Sequence, residues 1–204
     1  MIDKNKMDEI LSDLSKGRPV FHMEADFQLA LFRKIANDLG DSEGAYLENL
    51  EKNGAHTDIY VKTKKLHIAI EIKYATKEAV LGPYGEKSKE VFRLKKQTGH
   101  TGRRYRFWND VERLQEIVEK GKGETRGFAL FLTNDEAYWS PDYGKGDNED
   151  LRIYHGRNDI CAGELVGRIK GQEIKVKTNY GYNLAWKLYG REGFQYLLVP
   201  IPPE

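Results

Sequence analysis

Two periodicities divide the chain. Over residues 3–15, Met7, Ile10, Leu11 and Leu14 recur at helical spacing and predict a short amphipathic helix, which "KGRP" ends. A second helix is predicted over 22–39. Phe27, Ala30, Leu31 and Ile35, with Phe32 and Leu39, make a broad apolar stripe. Glu24 and Asp26 sit in its first turn, where the helix dipole favours negative charge, and Leu39-Gly40 is its stop. The period then shortens to two. Strands are predicted over 45–50, over 57–61 with Ile59 and Val61 on one face, and over 66–76, the last two joined by a turn at "KTKK". Helical spacing returns over 86–98, anchored by Val91 and Leu94, and over 107–120, where Phe107, Val111, Leu114 and Val118 recur and "GKG" follows. "FALFLT", 128–133, is a continuous apolar run, as in a strand buried on both faces. Residues 134–163 predict loop, with "LRIYH" at 151–155 as a short strand. A hairpin around Gly171 is predicted over 164–177, a short helix over 182–189 and a final strand over 195–200. From 22 to 133 the order is helix, three strands, helical segments and strand, an α/β or α+β core with a mixed sheet.

The third strand carries an anomaly. In "LHIAIEIKYAT", 66–76, one face holds Leu66, Ile68, Ile70, Ile72 and Tyr74, while the other holds His67, Ala69, Glu71 and Lys73. A carboxylate and an ammonium side by side on so apolar a strand describe either a face that meets water or a face that lines a site. The preceding strand bears on the choice. Pairing Lys62 with Lys65 sets Asp58 opposite Ala69, and pairing Val61 with Ile68 sets it opposite Glu71. In both registers Asp58 shares a face with Glu71 and Lys73. Glu71 and Lys73 stand about 6.7 Å apart at their bases, so their long side chains can converge. Two carboxylates supply hard oxygen ligands for Mg²⁺, which lowers the pKa of a bound water, and a lysine can orient that water or stabilise developing charge. Phosphodiester hydrolysis needs these parts.

Asp58 followed by Glu71-Ile72-Lys73 resembles the motif of the PD-(D/E)XK nuclease superfamily, the restriction-endonuclease-like fold. The likeness covers roughly 19–133 and extends to "FHMEADFQLAL", "IEIKYAT", "RYRFWNDVERL" and "FALFLTND", a combination similar to that of bacterial proteins of this superfamily. Thr57 stands where the motif's proline would be. The resemblance implies a central mixed sheet flanked by helices in αβββαβ order, and a Mg²⁺-dependent endodeoxyribonuclease in which Mn²⁺ substitutes. It implies Asp58, Glu71 and the Ile72 carbonyl as metal ligands and Lys73 as the residue that positions or activates water. Glu24 matches an acidic helper to the metal site, and Gln97 a glutamine used near the metal and the backbone. The alternative is a catalytically silent module that binds nucleic acid or protein on the same fold.

Composition adds limits. The 204 residues suit a single domain, with the core over 19–133, an elaboration over 134–193 that shapes the substrate cleft, and a final strand and tail over 194–204. The formal net charge is only +1, so only the distribution of charge speaks about partners. Basic residues crowd over 87–106: Lys87, Lys89, Arg93, Lys95, Lys96, Arg103, Arg104 and Arg106, with Tyr105, Phe107 and Trp108 at the end. Such a segment suits either a solvated face or phosphate contacts to nucleic acid, expected to be DNA. One active site per chain would make a homodimer useful for cutting both strands. The lone Cys161 rules out an internal disulfide and a multi-thiolate zinc site. The charged N-terminus is not a secretory signal, and no apolar run is long enough to span a membrane, so a cytoplasmic protein is expected. "HME", 22–24, lacks the paired cysteines of zinc deaminases, and "GPYGEKS", 82–88, lacks phosphate-loop spacing.

Overall fold

The computed structural model describes residues 2–39, 44–50, 56–64, 66–85, 89–143 and 148–203, with backbone alone at 48–50 and 56. Gly40 and Lys87 lie outside these residues. Two helices come first, α1 (Lys4–Gly17) and α2 (Glu24–Leu39), followed by β1 (Gly44–Leu50), β2 (His56–Lys62) and β3 (His67–Ala75). Next are β4 (Ala79–Tyr84), β5 (Glu90–Leu94), α3 (His100–Lys120) and β6 (Thr125–Thr133). A 3₁₀ turn (Glu149–Leu151), β7 (Gly163–Ile169), β8 (Gln172–Thr178), β9 (Trp186–Tyr189) and β10 (Phe194–Ile201) complete the order.

The fold is mixed α/β. Six strands form a central sheet in the order β1-β2-β3-β6-β10-β9, and β4-β5 and β7-β8 form separate hairpins. Within the large sheet β3 and β6 run parallel and every other neighbouring pair antiparallel. A parallel pair needs a long crossover, and here it carries the β4–β5 hairpin and α3. Both faces of the sheet are covered. Ile68, Ile70, Ile72 and Tyr74 of β3, with Phe128, Leu130 and Leu132 of β6, pack beneath α1 and α2. Ala69 and Ala75, with Ala129 and Phe131, pack beneath Phe107, Trp108, Val111 and Leu114 of α3. β6 is therefore buried on both sides, as its unbroken apolar run predicts.

Asp3 caps α1 by accepting from Lys6 N at 2.8 Å. The β7–β8 turn is Lys170-Gly171, both at positive φ (52° and 81°), the backbone a two-residue type I′ hairpin requires.

Three local expectations give way. Residues 90–94 are a strand, not part of a helix. Phe92 and Leu94 point inward while Val91 and Arg93 face water, so the period is two and the three-residue spacing of Val91 and Leu94 is accidental. The short helix over 182–189 is absent as well. Tyr182, Leu184 and Trp186 are buried alternately, and Trp186–Tyr189 pairs with β10 inside the central sheet. Residues 152–155 are not a strand either. That segment is tied by side chains, with Trp108 Nε1 donating to Leu151 O (3.1 Å) and Trp186 Nε1 to Ile153 O (2.5 Å). α3 begins at His100, seven residues before the first predicted apolar anchor. Among the described residues no helix is long and apolar enough to cross a membrane.

Candidate active site

The register of β2 on β3 decides where Asp58 lies. Ile59 pairs with Ile70 and Val61 with Ile68, so Asp58 falls opposite Glu71, on the face shared with Glu71 and Lys73. One of its oxygens, Oδ2, accepts from Ile72 N at 2.7 Å, extending the ladder by a side chain where the backbone partner ends. Gln28 of α2 donates to Asp58 O at 2.8 Å. The opposing pair and the lysine are thus brought together.

That face is largely withdrawn from water, with Asp58 and Lys73 half-buried. α3 covers it, and Glu71 is only 2% exposed. From α3 come two charged residues one turn apart. Arg113 grips Glu71 bidentately, Nη2 to Oε2 at 2.6 Å and Nε to Oε1 at 3.1 Å, and also reaches Asp110 Oδ1 at 3.2 Å. Lys73 Nζ lies 2.5 Å from Asp110 Oδ2 and donates to Ile72 O at 3.0 Å. Glu24, at the start of α2, accepts on Oε2 from Tyr74 N at 2.7 Å.

Burial dominates the titration of these groups. It pushes the Glu71 carboxyl up to about 8, against the pull of Arg113 and with help from the nearby charges of Asp58 and Asp110. Burial also raises Asp110, against the opposing pull of Lys73. For Lys73, burial alone would disfavour the charge, but Asp110, then Glu24 and Asp58, outweigh it and hold the ammonium above its ordinary value. Lys73 is therefore a fixed cation, a donor and a source of positive field.

Four carboxylates (Glu24, Asp58, Glu71 and Asp110) act on two cations, Lys73 and Arg113, so full ionisation leaves two negative charges uncompensated. In kind and in charge this donor set suits one hard divalent cation. The spacing does not yet close around one. Among the described residues no three His, Cys, Asp or Glu side chains converge as a metal site, and Arg113 occupies both oxygens of Glu71. Ile72 O, the expected third ligand, is taken by Lys73.

The other expected residues scatter. Gln97 N donates to Thr76 O at 2.9 Å, which brings Gln97 to the end of β3, but no contact joins its side chain to Asp58, Glu71 or Lys73. Arg104 is buried. It donates to Ala137 O and lies over the Tyr138 ring, so it is not an exposed phosphate contact. Lys89, Arg93, Lys95, Lys96 and Arg106 are exposed, and Arg103 is half-buried.

Asp110 and Arg113 are absent from the sequence-derived set. Their signal was a charge on an apolar face: Asp110 lies three residues after Phe107 and four before Leu114, on the stripe itself, and Arg113 follows at i+3. Comparison of the chain with protein-family models, with curated proteins and with solved structures found no match.

Proposed function

We propose that this chain is a metal-dependent nuclease of the PD-(D/E)XK type that hydrolyses phosphodiester bonds, in DNA. The observation that carries the reading is the register that sets Asp58 opposite Glu71, with Lys73 beside them on one covered face. The element order adds support: a helix, three antiparallel strands, a crossover that carries the β4–β5 hairpin and α3, and a strand parallel to the third, similar to the αβββαβ order that the resemblance implies apart from the added hairpin.

Asp58, Glu71 and Ile72 O would hold the cation, with Glu24 and Asp110 adding negative field. When bound, the cation lowers the pKa of a coordinated water and offsets charge on the phosphoryl oxygens. The chain's own residues do the rest. The Ile72 amide pins Asp58, so one oxygen is oriented before any ligand arrives. Lys73, kept protonated, directs its N–H bonds at developing negative charge and does not abstract the proton of the attacking water. Arg113 must turn away from Glu71, and Lys73 from Ile72 O, for those oxygens to coordinate. About a third of the Arg113 side chain is exposed, so solvent can receive it. Plasmid and linear DNA incubated with Mg²⁺ or Mn²⁺ test the reading. Lys73→Ala should cleave on the order of 10²–10³-fold more slowly than the parent chain, and equal cleavage would discard the assignment.

One observation favours the silent module. The Glu71–Arg113 and Lys73–Asp110 pairs are mutually satisfied without any cation. Calorimetry with Mn²⁺ on the parent and on Asp58→Asn separates the readings, because absence of heat in both supports the module.

A further inference from the structure

A cleft of about 1060 Å³ opens away from the carboxylate cluster, and neither Asp58, Glu71 nor Lys73 lines it. Its walls are the residues that follow β3, Lys96 after β5, the first turn of α3, the loop at 135–137 and the tip of the β7–β8 hairpin. Five cationic side chains line it against three acidic ones. Two of the acids are engaged: Asp135 with His100 at 2.8 Å, and Glu136 with Lys77 at 4.0 Å and with the Tyr143 hydroxyl at 3.3 Å. Among the described residues Lys96, Arg168 and Lys170 take part in no ion pair, and all three are exposed.

The first turn of α3 faces the same space. This 21-residue helix has Gly99 at its N-cap, no side-chain cap and no acid in its first turn. Its first intrahelical bond is Arg103 N to Gly99 O, so the amides of His100, Thr101 and Gly102 precede the ladder. A side chain added at Gly99 or Gly102 would meet nothing within 4 Å, so the approach to these amides is open. Arg104 is a separate pointer. It lines the cleft at 4% exposure, and its Nε has no hydrogen-bond partner. A buried guanidinium N–H left unpaired beside an uncapped helix start is a place for an anion.

We propose that this cleft binds the phosphodiester backbone of a nucleic acid, with one phosphate seated on the first-turn amides of α3 and neighbouring phosphates held by Lys96, Arg168 and Lys170. The choice of nucleic acid over other polyanions rests on the nuclease reading. Lys77, in the cleft wall, follows Lys73 by four residues and so lies within about 14 Å of it along the chain. A duplex strand carries a phosphate every 3.4 Å or so along its axis, so about four phosphates span that distance. The docking surface is then shared by segments far apart in sequence, and of the stretch 87–106 it takes Lys96, residues 99–102 and Arg104 but not Lys89, Arg93, Lys95, Arg103 or Arg106.

Fluorescence anisotropy of labelled single- and double-stranded oligonucleotides in EDTA, across a salt series, tests this without cleavage. The parent chain should bind, and Lys96→Gln/Arg168→Gln should weaken binding on the order of tenfold and lower the salt slope by about two. Lys62→Gln/Lys64→Gln, the same charge change elsewhere, should bind as the parent does. Gly102→Glu should weaken binding while its melting temperature holds or rises, since a helix interior disfavours glycine and a first turn favours an acid. Absence of binding by the parent, unchanged binding by the cleft variants, or equally tight binding of polyglutamate of matched charge would each overturn the proposal. So would loss of binding from Arg93→Gln/Lys95→Gln but not from the cleft pair. Cleft-dependent binding without cleavage by the parent would sink the nuclease reading alone, whereas cleavage indifferent to the cleft variants would sink this inference alone.

Discussion

Glu71 is the residue on which the site turns. Its carboxyl titrates near 8 in the folded chain, against an ordinary value of 4.5. Between those values the folded chain holds a proton that the unfolded chain releases. Glu71's contribution to stability is thus complete below about 4.5 and is lost as pH rises through about 8. Coordination needs the ionised form. Mn²⁺ affinity should therefore strengthen with pH up to about 8, with about one proton released per ion. Calorimetry in two buffers of different ionisation enthalpy reads that proton, and Glu71→Gln should abolish it. Arg113 is the competing cation. Arg113→Ala leaves the buried Glu71 carboxyl without its two hydrogen bonds and pushes its titration higher still, so stability should drop by about 1–3 kcal/mol, at the low end because water reaches the exposed part of the guanidinium. The same variant should gain more thermal stability from Mn²⁺ than the parent does. A smaller gain would show that Arg113 does not compete for Glu71.

At the scale of elements, α3 supplies the roof of the site and Gly127 sets its height. A Cβ at Gly127 would stand 3.2 Å from Leu114 Cβ and 3.3 Å from Ile201 Cβ. Gly127→Val requires Leu114 and Ile201 to give by a few tenths of an ångström or more, and a shift of α3 would move Asp110 and Arg113 relative to Lys73 and Glu71. We expect a loss of about 1–3 kcal/mol in urea unfolding, with cleavage reduced although no charged group is touched. Unchanged activity in a variant destabilised to this extent would show that the site tolerates displacement of its roof.

At the scale of the whole molecule, the two cores lie on opposite faces of one sheet and share its strands. β3 and β6 contribute alternate side chains to each, and β10 stands between β6 and β9. Neither core can lose its packing without exposing the other side of the same strands. Heating should therefore give one transition, coincident by backbone and aromatic circular dichroism. Two separated transitions would mean that the segment after residue 134 folds apart from the rest.

Much of this was legible in the linear pattern, for physical reasons. Side-chain alternation is rigid, so two strands joined by a short turn placed Asp58, Glu71 and Lys73 on one face in either register considered. The unbroken apolar run at 128–133 reported a strand with no solvated side. Short amphipathic pieces were less legible. Three apolar residues in five fit either period, and only the partner strand decides, as for Phe92 and Leu94 in β5 and for Trp186 in β9. Tertiary structure alone decided what covers the charged face of β3. Nothing in the order of residues ties position 113 to position 71. That pairing arises because α3 packs across the sheet and leaves Asp110 and Arg113 over the buried Glu71 and the half-buried Lys73 of β3. It likewise gathered Lys96, Arg168 and Lys170 around one cleft, because a crossover and a hairpin return to the same end of α3.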